Sequence, residues 1–187
     1  MRDPLVGQHV LLGALAGLAA TLLIHLELLV VGPPLPPSWQ SLPALAGVGA
    51  ALAANVEVLR EALRMPIYIL MAVLVLRVIS RRTWVAYLVF LGLPAVVFAS
   101  GVPLPDAIVG VILVALSLVV LTRLGLLAMV VVVLFTDWPY LPFTTDPSSW
   151  FFPSSVVTML VYASVGVYGF VVSLGGQRLF KDPLADA

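Results

Sequence analysis

The chain has 187 residues, enough for one domain spanning 1–187, and 62% of them are apolar while 10% are charged, against about 25% charged in soluble proteins. That much apolar surface excludes a small soluble globule and makes lipid the natural solvent. A formal net charge of zero excludes an electrostatic footprint for nucleic acid, and the lack of cysteine excludes disulfides and thiolate metal sites.

The composition and the spacing of the apolar runs predict an all-α, polytopic membrane protein. About six transmembrane helices are expected, with one re-entrant or interfacial helix. The first span is predicted over 5–31. Its apolar run from Val10 to Val31 is longer than the ~7–15 residues of a cleavable signal, so it reads as a retained helix. Gly13 and Gly17 form a GxxxG pair, a spacing that lets another helix approach closely. His25 and Glu27 lie near the far end, two residues apart and so on different faces. The segment GPPLPPSWQSLP ends the span, since its clustered prolines cannot propagate a helix, and Trp39 suits an interface.

The stretch 44–64 admits two readings. Its second half carries Glu57, Arg60, Glu61 and Arg64 at helical spacings of three and four, so opposite charges can pair along one face. One reading is a re-entrant or interfacial helix leading into a span over 66–80, with Pro66 in its first turn. The other is a full span ending at Arg60 and a new one from Ile67. The first is preferred because it leaves Arg77, Arg81 and Arg82 on the cytoplasmic side together with the N-terminus, as the positive-inside rule requires.

A third span is expected over 84–100, with Pro94 kinking it. Residues 107–135 form an apolar run of about 29 residues, or roughly 43 Å as one helix, too long for a bilayer unless tilted. The loop from Asp137 to Ser149 has no basic residue and reads as external; the tail after Gly176 has Arg178 and Lys181 and reads as internal. Both fit only if the chain turns at Arg123, which predicts spans over 107–122 and 124–136. The last span is expected over 153–174, with Ala163, Gly166, Gly169 and Ser173 forming a small-residue stripe suited to packing, for example on the first helix. Asp146 is placed to cap a short helix from Pro147. Trp138, Tyr140, Phe143, Trp150, Phe151 and Phe152 read as an interfacial belt.

An ionisable group at membrane depth is costly and marks a candidate site. The richest such group is Glu57, Arg60, Glu61 and Arg64, either an ion-paired amphipathic helix or the polar lining of a cavity. A metalloprotease using Glu57 and Glu61 with His9 or His25 lacks any metal-ligand spacing. Ser100 before Gly101 lacks a downstream histidine to activate it as a nucleophile. No nucleotide-binding pattern is present. These readings predict no catalytic residue, no cofactor and no metal.

Arg2-Asp3-Pro4-Leu5-Val6-Gly7 with LLGALAG, LRVISRRTW (76–84) and YGFVVSLGGQRLF (168–180) together resemble the C-terminal multi-span membrane region of bacterial, Acidobacteria-type serine/threonine protein kinases. The resemblance spans nearly the whole chain and implies cytoplasmic termini in a bacterial inner membrane. The kinase domain itself is missing, so no catalytic residue carries over. The function expected first is therefore a non-catalytic domain that anchors, oligomerises or senses. Its partners would be the bilayer, a second copy or a cytoplasmic signalling module. A small transporter or permease subunit with a polar site at Glu57–Arg64 comes second, and an intramembrane hydrolase a distant third.

Overall fold

The computed structural model describes residues 3–31, 43–99, 104–138, 141 and 143–174. They form six α-helices, α1 (Pro4–Val31), α2 (Val48–Ser80), α3 (Thr83–Ala99), α4 (Leu104–Arg123), α5 (Leu126–Asp137) and α6 (Phe152–Ser173), and one 3-10 turn at Pro43–Ala46. No strand occurs among the described residues. Four helices, α1, α2, α4 and α6, are long and apolar enough to cross a membrane. The all-α expectation thus holds, and among the described residues four of the six helices have the length and composition of a span while α3 and α5 are shorter.

The largest correction concerns 44–80. In place of an interfacial helix followed by a span over 66–80, or two spans meeting between Arg60 and Ile67, α2 runs unbroken for 33 residues. At 1.5 Å per residue it is about 50 Å long, well beyond a hydrocarbon core of about 30 Å. Pro66 lies inside it. A proline there removes one backbone hydrogen bond and crowds the carbonyl four residues back, at a cost of about 3 kcal/mol. Packing holds the helix through that defect: Pro66 and Ala62 are both fully buried. The charges do not end it either, because they pair along its own surface.

α2 stops at Arg81, a left-handed residue (φ 54°) whose N–H donates to the Arg77 carbonyl. Basic side chains here also suit the negative end of the helix dipole. α3 begins two residues later and runs through Pro94. The expected turn near Arg123 is present: α4 ends there and α5 starts at Leu126. Gly125 makes it, with φ 88° and ψ −176°, a conformation open almost only to glycine. Gly125→Ala is expected to destabilise the protein by about 1–3 kcal/mol, read as a lower unfolding temperature in detergent.

The short helix α5, not a span, is the centre of the bundle. Its 12 residues cover about 18 Å, too little to cross, yet Ala128, Met129, Val131, Val132, Leu134 and Phe135 are all buried. α1, α2 and α4 surround it. Gly13 of α1 lies on Ala128 and Val131, and Gly17 on Val132 and Phe135. Higher up, Thr21 Oγ1 donates to the Phe135 carbonyl at 2.9 Å. α1 and α5 therefore run parallel. α6 returns against α1, with Gly169 on Val10 and Ser173 on Gly7. Within the small-residue stripe of α6, Gly169 and Ser173 thus face α1, whereas Ala163 is exposed and Gly166 has open space beside it.

The directions alternate, so each end of the bundle collects its own charges. Arg77, Arg81, Arg82 and Arg123 lie at the end where α2 and α4 finish; Glu27, Asp106, Asp137 and Asp146 lie at the other. Glu27 and Asp106 meet there side by side. Leucine, valine and isoleucine side chains are exposed along the outer faces of α1, α2 and α6. With lipid outside as apolar as the core, close packing and interhelical hydrogen bonds hold such a bundle together.

Candidate functional site

Residues 57, 60, 61 and 64 fall within two turns of α2, so a helix presents them on one face. The Arg60 guanidinium pairs with Glu57 and that of Arg64 with Glu61. Arg64 also lies over the Tyr68 ring, 5.7 Å from its centroid, a cation–π contact. All four charged side chains border a half-open cavity of about 710 Å³ between α2, α4 and α5, Glu57 and Arg60 from its exposed rim, with Ala20 of α1 at its edge. That volume is in the range of small-molecule sites, about 300–1,000 Å³.

The rest of the lining is mostly apolar. α4 contributes Leu113 and Leu116, α5 contributes Met129, Val132 and Val133, and α2 adds Met65 and Ile69. Three further polar side chains reach it: Ser117, Thr136 and Asp137. The hydroxyl of Ser117 donates to the Leu113 carbonyl at 2.8 Å and that of Thr136 to the Val132 carbonyl at 2.9 Å. With their hydrogens spent on the helices, both oxygens remain as acceptors. The site is thus charged along α2 and at Asp137, the last residue of α5, and greasy along the rest of α4 and α5, a division that suits a solute with one polar end.

A second polar group lies beside the cavity, between α2 and α6. Asn55 Nδ2 donates to the Ala51 carbonyl at 2.8 Å and to Thr158 Oγ1 at 3.1 Å, while Thr158 donates to the Ser154 carbonyl. Both residues are buried. Tyr162, one turn on from Thr158, is stacked with Trp138 at 5.2 Å between centroids and meets Phe135 edge-on at 5.3 Å. Among the described residues, Asn55 Oδ1, Trp138 Nε1 and Tyr162 Oη have no hydrogen-bond partner.

Placement of the remaining candidates differs from expectation in several respects. Trp138 turns inward onto Tyr162 instead of joining an interfacial belt, whereas Trp150 and Phe143 are exposed. Asp146 caps no helix: its Oδ1 accepts from both the backbone N–H and the hydroxyl of Ser148, making a turn at 147–148 before α6 begins at Phe152. Those bonds, the hydroxyl first, hold its carboxyl below the usual carboxylate range. His25 Nδ1 lies 2.8 Å from the Thr21 carbonyl, and neither His9 nor His25 lines the cavity. No group of three His, Asp or Glu side chains among the described residues is arranged to hold a metal ion. Arg2, Trp39, Ser100, Gly101, Tyr140, Arg178 and Lys181 lie outside the described residues.

Asn55, Ser117, Thr136 and Tyr162 are polar groups of this region that the charge pattern of the sequence does not point to. Asn55 carried a usable signal, as a lone amide inside an apolar run. The hydroxyls did not, because serine and threonine occur throughout such helices. No family model, no curated protein and no solved structure matches the chain. The kinase-region resemblance accordingly stands as an expectation carried by its own residues alone.

Proposed function

We propose that this chain is a small multi-pass membrane protein of the permease type, one that holds an amphipathic solute between α2, α4 and α5. The observation that carries the reading is that Glu57, Arg60, Glu61 and Arg64 line a cavity. Charged groups inside a membrane protein turn toward a neighbour or a water-filled space because lipid cannot solvate them. The unusual length of α2 fits the same reading, since a helix of this span can carry polar turns while still crossing the hydrocarbon.

One support of the signalling-anchor expectation, the small-residue face of α1, is taken up within the chain. Gly13 and Gly17, the pair that suggested a dimer interface, are occupied by α5 of the same chain. The proposed setting is a bacterial cytoplasmic membrane with the arginine-rich end of the bundle inside.

The test is co-purification from a mild detergent, with bound molecules identified by mass spectrometry. Ser117→Trp, which fills the cavity from α4, is the comparison. Wild-type protein is expected to retain a bound amphiphile at levels at least about tenfold above the variant, a difference of about 1.4 kcal/mol or more. Equal retention by two equally folded proteins would place any binding elsewhere and sink the proposal.

A further inference from the structure

The cavity carries its charge unevenly. Three carboxylates line it, Glu57, Glu61 and Asp137, against two guanidiniums, Arg60 and Arg64. Each guanidinium is engaged by the carboxylate three residues before it. Asp137 is left without a salt-bridge partner among the described residues. The two ion pairs differ in exposure, with Arg60 and Glu57 both about equally open at 63% and 61%. The Arg64 side chain is 47% exposed and its partner Glu61 only 26%, so the carboxylate sits deeper than the guanidinium. Glu61 lies near enough to Asp137 for the two charges to interact.

Tyr162, which does not line the cavity, is 3% exposed, within electrostatic reach of Asp137 and, among the described residues, without a partner for its hydroxyl. The site holds one carboxylate, Asp137, that no guanidinium pairs with among the described residues. Leu113 and Leu116 of α4 and Met129 of α5 supply apolar lining to the same cavity.

We propose that this cavity takes an organic cation, its positive centre against Asp137 and Glu61 and its apolar body against the α4 and α5 side chains. The inference rests on the solute-binding reading above and specifies the solute's charge. An anion would meet the unpaired carboxylate. A small metal ion would need about six oxygens converging on one point, and no three His, Asp or Glu side chains among the described residues are so arranged. A bulky ammonium or phosphonium-type cation surrenders little hydration and gains apolar contact.

Tetraphenylphosphonium and tetraphenylborate have the same shape and opposite charge, which makes them the probes. Their binding to the full chain in a non-ionic maltoside detergent is measured by equilibrium dialysis. Tetraphenylphosphonium is expected to bind saturably and at least about tenfold more tightly than tetraphenylborate, with Asp137→Asn and Glu61→Gln each erasing most of that preference. Displacement by dodecylphosphocholine would assign the cation to a lipid headgroup; lack of displacement would assign it to a free organic cation.

Equal binding of the two probes to the wild-type chain overturns the inference without needing any variant. In that event, loss of both on Ser117→Trp would leave the cavity reading standing, and binding unaffected by Ser117→Trp would remove that as well. Absence of binding by either probe also overturns the inference, while co-purification decides the cavity reading separately.

Discussion

Replacing Gly13 and Gly17 together with alanine is expected to lower stability by about 2–6 kcal/mol, taking about 1–3 kcal/mol for each overpacked site. A Cβ at Gly13 would lie 2.6 Å from the Ala128 carbonyl oxygen and 3.0 Å from the Val131 Cβ. At Gly17 it would lie 2.6 Å from the Phe135 Cβ and 2.8 Å from the Val132 carbonyl oxygen. None of these atoms is the free end of a flexible side chain. Backbone and Cβ atoms move only if the whole helix moves, so relief requires α1 and α5 to separate. Separation would also stretch the hydrogen bond from Thr21 to the Phe135 carbonyl.

The comparison is Gly166→Ala, where a Cβ meets nothing within 4 Å. That change is expected to be neutral or stabilising by up to about 1 kcal/mol, because alanine is the better helix former. Thermal unfolding followed by circular dichroism in one detergent checks both. Similar unfolding temperatures for the double variant and the wild type would mean that α1 and α5 do not pack this closely.

Single-cysteine labelling is expected to give an all-or-none result, and the absence of native cysteine makes it clean. Thr83→Cys and Thr122→Cys lie at the end that carries Arg77, Arg81, Arg82 and Arg123, while Ser148→Cys lies in the exposed turn at the acidic end. An impermeant maleimide added to intact cells is expected to label Ser148→Cys and to reach the other two only after lysis. Retention of short basic segments in the cytoplasm is the physical cause. Labelling of Thr83→Cys and Thr122→Cys in intact cells would invert the orientation. Labelling of Ser148→Cys and Thr83→Cys together would mean that α2 does not separate the two ends, and the cavity would lose its membrane setting.

Much of the fold could be read along the chain because membrane helices announce themselves by composition. The first helix, the last helix and the turn beside Arg123 were legible from apolar run length and from the distribution of arginine, aspartate and glycine. The break expected between Arg64 and Pro66 was not real. Proline and charge are reliable terminators only when nothing compensates them, and here Ala62 and Pro66 are packed while the charges pair in place. The status of α5 was equally hidden: a 12-residue apolar helix reads the same whether it faces lipid or is enclosed by protein.

The candidate site divides along the same line. Glu57, Arg60, Glu61 and Arg64 stood out as costly charges on one helical face, a local property that spacing alone determines. Whether that face met headgroups or a cavity depended on α4 and α5, whose residues are some 50 or more positions away in the chain. The lack of a salt-bridge partner for Asp137 among the described residues and the burial of Asn55 and Tyr162 depended on the same packing. Composition and periodicity determined that this chain is helical and suited to lipid, and where its charges fall. Tertiary structure alone decided which charges share a space, since burial and pairing arise from contacts between helices that no single stretch of sequence contains.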